Sequence, residues 1–175
     1  MKYLIFSDLH GAVDSIEFLI ERFKNLKCDQ MICLGDVLYH GPRNDLPMNY
    51  NPKRVIEIMN DYKDFILCIQ GNCDAEVDQM VLNFSLHQFL NVQLNGIECH
   101  LEHGHHLESE QVSQTLTFYG HTHVSCIEEK NGKIFANPGS ITIPKNNTKR
   151  SYMILENHHL SLYDNQDNLL QEKEI

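Results

Sequence analysis

Seven side chains that can bind a metal ion directly follow apolar, strand-like runs in this sequence. They are Asp8, His10, Asp36, Asn72, His103, His121 and His123. In open α/β sheets, ligands and catalytic groups collect beyond the carboxyl ends of the strands. A single Gly-Asp or Gly-Asn after a strand usually marks a turn. Because five separate runs end in oxygen or nitrogen donors, the sequence predicts a metal site at this edge of a sheet.

The number and type of these donors indicate which metals would bind. Seven donors exceed what one ion takes from protein while keeping an open position, but they fit two ions that share one ligand. Paired ions about 3.5–4 Å apart suit an in-line displacement at phosphorus. The mixture of carboxylates, one amide and several imidazoles favours Mn, Fe, Zn or a similar ion over Ca or Mg.

The first half of the chain alternates strand and helix patterns. Apolar runs at residues 2–6, 31–34 and 65–69 predict buried strands, and the intervening helix predicts parallel pairing of the first two. Asp14 and Glu17 have the spacing of a capping box that opens the first helix. Asn51 is predicted to cap a second helix, with Pro52 at its first position. A short helix is expected at residues 75–82.

The second half is rich in hairpin signals. Asn95-Gly96 and Asn131-Gly132 predict tight turns within hairpins at residues 89–102 and 125–136. Further strands are expected at the segments 116–119, 151–155 and 160–163, with an edge strand after residue 168 and a short helix at residues 109–114.

Composition limits the class of protein. A chain of 175 residues without repeats or linkers predicts one domain, residues 1–175. The formal net charge of −10 and the lack of a dense Lys/Arg run argue against a nucleic-acid groove or an anionic membrane surface. No signal peptide or membrane span is evident. Six scattered cysteines are typical of reduced thiols in a cytoplasmic protein.

The order of the donor motifs resembles that of the calcineurin-like metallophosphoesterases, over nearly the whole chain. The matching motifs are Asp8-Leu9-His10, Gly35-Asp36, Gly71-Asn72-Cys73-Asp74, His103-Gly104-His105 and Gly120-His121-Thr122-His123. The narrower resemblance is to the small bacterial YfcE-type phosphodiesterases. It is carried by residues 35–44, residues 71–80, and Asn137-Pro138-Gly139-Ser140 with Ile143-Pro144-Lys145.

The resemblance implies an α/β fold, a four-layer α-β-β-α sandwich of two mixed sheets. It also implies a first metal held by Asp8, His10 and His123, and a second held by Asn72, His103 and His121. Asp36 would bridge two divalent transition-metal ions, with Mn²⁺ the first expectation and Fe, Zn or Ni the alternatives. A hydroxide between the ions would attack a small phosphodiester substrate. The resemblance leaves a homo-oligomer open.

The sequence departs from the wider superfamily at Cys73, where many members carry a His that is thought to protonate the leaving group. His105 is the candidate to replace it as a catalytic acid, and the alternative is that it only orients its loop. Arg43 is the candidate for a bidentate phosphate contact. The alternative for Arg43 is an exposed loop residue.

Other functions predict different features. Some relatives of this fold lack metal ligands and serve as protein-interaction scaffolds, as in the retromer complex. All seven ligand positions are competent here, although a catalytically weak, metal-binding scaffold remains the alternative. A His-rich storage or sensing protein would carry its ligands on flexible tracts rather than at strand ends. A nuclease would need a basic groove, which the net charge does not favour.

Overall fold

A computed structural model describes residues 1–107 and 112–175 of the chain. Within these ranges the α-helices are α1 (Val13–Asn25) and α2 (Pro52–Asp61), and short 3₁₀ helices cover Lys63–Phe65 and Glu76–Met80. The strands of the first half are β1 (Lys2–Phe6), β2 (Gln30–Cys33), β3 (Ile66–Ile69), β4 (Leu86–His87), β5 (Phe89–Leu94) and β6 (Ile97–Glu102). Those of the second half are β7 (Leu116–Phe118), β8 (Cys126–Lys130), β9 (Lys133–Asn137), β10 (Ser151–Glu156), β11 (His159–Asp164) and β12 (Leu169–Glu174).

The strands form two mixed sheets. The first has seven strands in the order β12-β11-β10-β1-β2-β3-β4, and the second has five in the order β5-β6-β7-β9-β8. Strands β1 to β4 run parallel to one another, as do β6, β7 and β9. The carboxyl ends of five strands that precede predicted donors therefore meet at one edge of their respective sheets.

The core lies in two apolar layers. Between the sheets, the inward-facing residues of both pack together, including the fully buried Ile5, Ile32 and Phe118. On the outer face of the seven-stranded sheet, α1 and α2 bury residues such as Ile16, Leu19 and Val55. Alternate residues of β1 point into these two layers, because successive side chains of a strand face opposite sides.

The predicted fold class is confirmed as α/β with two mixed sheets. Both described α-helices cover the seven-stranded sheet. Within the described ranges no helix covers the five-stranded sheet, so the predicted fourth layer contains no helix in these ranges. The helix predicted at residues 109–114 lies mostly outside the described residues. No helix of residues 1–107 or 112–175 is long and apolar enough to cross a membrane.

The predicted capping box at Asp14 is wrong. Helix α1 begins one residue earlier, at Val13, whose N–H donates to the carbonyl oxygen of Asn49. Asp14 lies in the first turn and accepts hydrogen bonds of 3.0 Å from both terminal nitrogens of Arg150. The guanidinium of Arg150, which directly precedes β10, thus pairs with the carboxylate that local spacing assigned to the helix start. By contrast, the Asn51 side chain accepts from Arg54 N–H, and the predicted cap with Pro52 is confirmed.

Candidate metal centre

Main-chain hydrogen bonds join the segments that follow β1 and β2. The N–H groups of Asp8 and His10 donate to the carbonyl oxygens of Gly35 and Asp36, at 3.0 and 2.9 Å. The two sheets are joined as well, because His121 N–H donates to Asp8 Oδ2 at 3.0 Å. These bonds bring the donors of separate strands to one place.

The predicted ligands have unusual backbone conformations. Five of them lie in the left-handed region, with φ between 50° and 65°: Asp8, His10, Asp36, His121 and His123. Each such residue costs about 1–3 kcal/mol when it is not glycine, and such strain is concentrated at functional sites. Most of the remaining non-glycine residues with a left-handed backbone are Asn. The backbone strain at the ligands therefore marks a site that the surrounding structure holds in place.

Two glycines permit the close approach of these segments. A Cβ atom on Gly71 would lie 2.1 Å from Asp36 Oδ1, and one on Gly120 would lie 1.9 Å from Ser7 Oγ. Neither position has space for a side chain. Glycine is required here because the backbone of each segment packs directly against residues that follow another strand.

One cluster contains Asp8, His10 and His123. His123 Nε2 lies 3.2 Å from Asp8 Oδ1 and 3.2 Å from His10 Nε2. The Nδ1 atoms donate to carbonyl oxygens, those of Tyr39 at 2.8 Å and Ile143 at 2.7 Å. Because a carbonyl only accepts, the proton of each neutral imidazole is on Nδ1. Both Nε2 lone pairs therefore face the same point.

The adjoining cluster contains Asp36, Asn72 and His103. His103 Nε2 lies 3.4 Å from Asp36 Oδ1 and 3.2 Å from Asn72 Oδ1, while its Nδ1 donates to Leu34 O at 2.7 Å. The ring of His121 lies beside it, with centroids 5.2 Å apart. Asp36 also reaches the first cluster, because its Oδ2 is 3.7 Å from His10 Nε2. All seven predicted ligands are thus brought together, with Asp36 between the two clusters.

The first cluster fits a cation. Asp8 is fully buried, and its Oδ1 atom has no hydrogen-bond partner among the described residues. An unpaired buried carboxylate oxygen beside two converging imidazole lone pairs is unfavourable unless a positive charge lies between them. Groupings of carboxylate and imidazole donors within 4.8 Å of one another occur at Asp8/His10/His123 and at Asp8/Asp36/His103. The donor set suits a divalent ion of intermediate hardness.

The ionisation of these groups reflects the same need for positive charge. Burial raises the pKa of Asp8, but the adjacent imidazoles of His10 and His123 outweigh it, and the net pKa is well below its usual range. Burial lowers the pKa of His103, yet Asp36 and Asp8 raise it to about 9. Without a metal, protons on the imidazoles would therefore compensate the carboxylates.

Two supporting residues were not assigned a role from sequence. The Asp74 carboxylate accepts from the N–H groups of Asp36, Val37 and Gly71 at 2.7–2.8 Å and so holds the loops after β2 and β3 together. Ser140 Oγ donates to the Asp8 carbonyl oxygen at 2.8 Å. The role of Ser140 could have been predicted from its position, because it follows β9, another strand with its carboxyl end at this edge.

Arg43 lines a cleft of about 420 Å³ beside the two clusters. Asp36, Asn72, His121 and His123 line the same cleft. Lys145, part of a segment that carries the resemblance but without a predicted role, also lines it. Arg43 therefore lies beside the space that a molecule bound at the metal centre would occupy.

His105 lines a neighbouring cavity of about 470 Å³ with His103 rather than the cleft that holds Arg43. Its ring centroid lies 5.5 Å from that of His103 and 6.0 Å from that of His121. Burial and the nearby charge of His103 lower its pKa. Cys73 does line the cleft, and burial and the Asp36 charge raise the pKa of its thiol to about 12. A thiol so weakly acidic transfers a proton poorly near neutral pH.

The chain belongs to the calcineurin-like phosphoesterase superfamily, whose domain model matches residues 1–159. Phosphodiesterase YfcE of Escherichia coli K12 is 39% identical over 168 residues, covering 93% of this chain and 91% of the relative. The solved structure of that phosphoesterase from E. coli superposes with a TM-score of 0.96 at 35% identity, over the full length of both chains. Vacuolar Protein Sorting 29 from Cryptosporidium parvum shares only the fold, with a TM-score of 0.70 at 20% identity over 99% of this chain and 98% of the other.

Proposed function

We propose that the protein is a metal-dependent phosphodiesterase that hydrolyses a small phosphodiester. The observation that carries the proposal is the convergence of the buried, unpartnered Asp8 Oδ1 with the Nε2 atoms of His10 and His123. Extensive identity to a curated phosphodiesterase supports it. The intact set of candidate ligands favours an enzyme over a scaffold that lacks metal ligands.

We assign Asp8, His10 and His123 to one ion, Asn72, His103 and His121 to the other, and Asp36 to both. The contacts of Asp36 support its bridging role, because one carboxylate oxygen lies near His103 and the other near His10. Two bound divalent cations would supply a water of lowered pKa and positive charge for the phosphoryl oxygens. Imidazole and carboxylate donors favour Mn²⁺, with Fe, Zn or Ni as alternatives.

The remaining steps fall to side chains beside the two metal clusters. Arg43 binds an anionic group of the substrate through its planar fork of donors. We assign the leaving-group proton to His105, because Cys73 is too weak an acid. The main-chain carbonyl oxygens that accept from Nδ1 of His10, His103 and His123 keep each Nε2 directed inward, as acceptors for the second ring N–H do in metal sites generally.

We further propose a single domain and a cytoplasmic location. None of the six cysteines forms a disulfide, as expected for a reducing compartment. They are Cys28, Cys33, Cys68, Cys73, Cys99 and Cys126.

The decisive experiment measures release of p-nitrophenolate from bis(p-nitrophenyl) phosphate by the purified chain, with Mn²⁺, with each alternative metal and with chelator. Turnover that requires a metal and disappears with chelator is expected. Stoichiometric Mn²⁺ binding without turnover on any phosphomonoester, diester or cyclic nucleotide would instead favour the scaffold.

A further inference from the structure

Two loops that orient ligands of the first cluster also carry a basic side chain each. The first loop provides Tyr39 O, which binds His10 Nδ1, and continues to Arg43. The second provides Ile143 O, which binds His123 Nδ1, and continues to Lys145. Arg43 and Lys145 line the same cleft. Two positive charges thus reach one ligand-sized space from separate segments.

Neither charge has a carboxylate partner in the part of the chain that the structure describes. Among residues 1–107 and 112–175, no carboxylate oxygen lies within 4.0 Å of Arg43 or Lys145, although the chain has 24 acidic against 14 basic residues. Most other basic side chains do form ion pairs. They are Lys2, Arg22, Arg54, Lys63, Lys130, Lys149, Arg150 and Lys173.

The carboxylates that line the cleft are already engaged. Asp36 lies between the metal clusters, and the buried Asp74 accepts from three main-chain N–H groups. Neither is free to pair with an arginine or lysine at the cleft wall. The two basic side chains are therefore available to a ligand.

Both loops are fixed close to these side chains. Lys145 N–H donates to His123 O at 3.1 Å, and Thr148 Oγ1 donates to Lys145 O at 2.8 Å. In the other loop, Asn44 Nδ2 donates to His40 O at 2.7 Å, and Gly41 packs where a Cβ atom would lie 3.0 Å from Cys73 Sγ. Their backbones are held in place before a ligand arrives.

Charge arithmetic indicates what these residues bind. Two carboxylate ligands would cancel two of the four positive charges of a pair of divalent ions, and a hydroxide nucleophile would cancel a third. The charge that is left matches the single negative charge of a phosphodiester. The positive charges of Arg43 and Lys145 therefore exceed what the scissile phosphate requires. We propose that Arg43 and Lys145 form an anion subsite, and that the substrate is a phosphodiester with a second anionic group, a carboxylate or phosphate, on its non-leaving arm.

This inference rests on the proposed function, and the experiment separates the two. Four p-nitrophenyl phosphodiesters are compared with Mn²⁺-loaded protein, with 2-carboxyethyl, 2-phosphonooxyethyl, ethyl and choline as the second arm. The leaving group is constant, so differences report the arm alone. The anionic arms should raise kcat/KM about tenfold over ethyl, the size of a close charge pair at the protein surface, and choline should lower it. The larger of the two anionic ratios identifies the preferred group.

The variants are Arg43→Gln, Lys145→Gln and the double substitution. Lys53→Gln is the matched control, because Lys53 is exposed, has no carboxylate within 4.0 Å among the described residues, and lies outside the cleft. The anionic-to-ethyl ratio should fall toward one in the double variant and stay unchanged in the control. A ratio near one in the wild type, or equal losses on all four esters, would overturn the subsite.

A binding measurement tests the subsite without turnover. Non-hydrolysable phosphonate analogues with ethyl and 2-carboxyethyl arms are titrated calorimetrically into the same proteins. Tighter binding of the carboxyethyl analogue, lost in the double variant, supports the subsite even if no ester is cleaved, which would contradict only the proposed function. Cleavage with equal binding of both analogues would contradict only the subsite.

Discussion

The Nε2 atoms of His10 and His123 lie 3.2 Å apart, while each ring binds a main-chain carbonyl oxygen through Nδ1. Two neutral imidazoles held in this way present lone pairs to each other. Asp8 Oδ1 lies 3.6 Å from the first and 3.2 Å from the second. The arrangement requires a cation, either a proton or a metal ion, and several consequences can be measured.

Metal binding should stabilise the fold. Mn²⁺ at about 100 times its dissociation constant is expected to raise Tm by about 5–10 °C relative to chelator-treated protein, because it binds only the folded state. Differential scanning fluorimetry with and without metal measures the shift, and Ca²⁺ should shift it less. The metal centre would be refuted if no transition metal raised Tm above that of the chelator-treated protein.

The bridging position of Asp36 predicts a double defect. Asp36→Asn should lower bound metal at both positions and reduce kcat/KM by at least about 100-fold at fixed Mn²⁺, since a lost ligand costs more than a lost partner of a ligand. Elemental analysis and steady-state kinetics provide the two measurements. Asp45→Asn, an exposed residue of the following loop, is the charge-matched control. Full metal content with full turnover would show that Asp36 does not bridge.

Metal affinity should depend on pH. In the metal-free protein, the pKa of His103 is raised to about 9, so this group is protonated at neutral pH and must lose its proton when a metal binds. Mn²⁺ affinity should therefore increase about tenfold per pH unit between about pH 7 and 9 and then level off. Calorimetry in buffers of different ionisation enthalpy measures the released proton. An affinity independent of pH in this window would disprove the coupling.

Much of this arrangement follows from sequence, for identifiable reasons. Most strands, and the seven candidate ligands that meet beyond their ends, were predicted because apolar runs and the residues after them are local features. The capping box failed because Arg150, more than 130 residues away, pairs with Asp14. Lys145 was named in the resemblance without a role, because only tertiary structure brings its loop to the cleft. The left-handed conformations of Asp8 and His10 are equally invisible in sequence, since they result from contacts between loops.

The glycine at position 71 should be essential to the site. Gly71→Ala places a Cβ atom 2.1 Å from Asp36 Oδ1, so either the carboxylate or the loop after β3 must shift. We expect loss of bound metal and of activity. Gly96→Ala is the control, because a Cβ there meets nothing within 4 Å and the cost, at φ +85°, is confined to a hairpin turn. A Gly71→Ala protein with normal metal content would contradict the proposed packing.

The weak acidity of Cys73 predicts a strong dependence on the leaving group. Alkyl diesters should react far more slowly than aryl diesters, and Cys73→His should accelerate the alkyl esters by about 10²–10⁴-fold with little effect on aryl esters. Cys73→Ala, the size-reducing control, should change neither class by much.

The role of His105 is tested in the same assay, because its neutral form predominates at neutral pH and its lowered pKa makes it a donor only in acid. If His105 is the donor, alkyl-ester turnover should rise below about pH 6.5, and His105→Gln should abolish that rise while sparing aryl esters. An identical pH profile in His105→Gln would remove His105 from the mechanism.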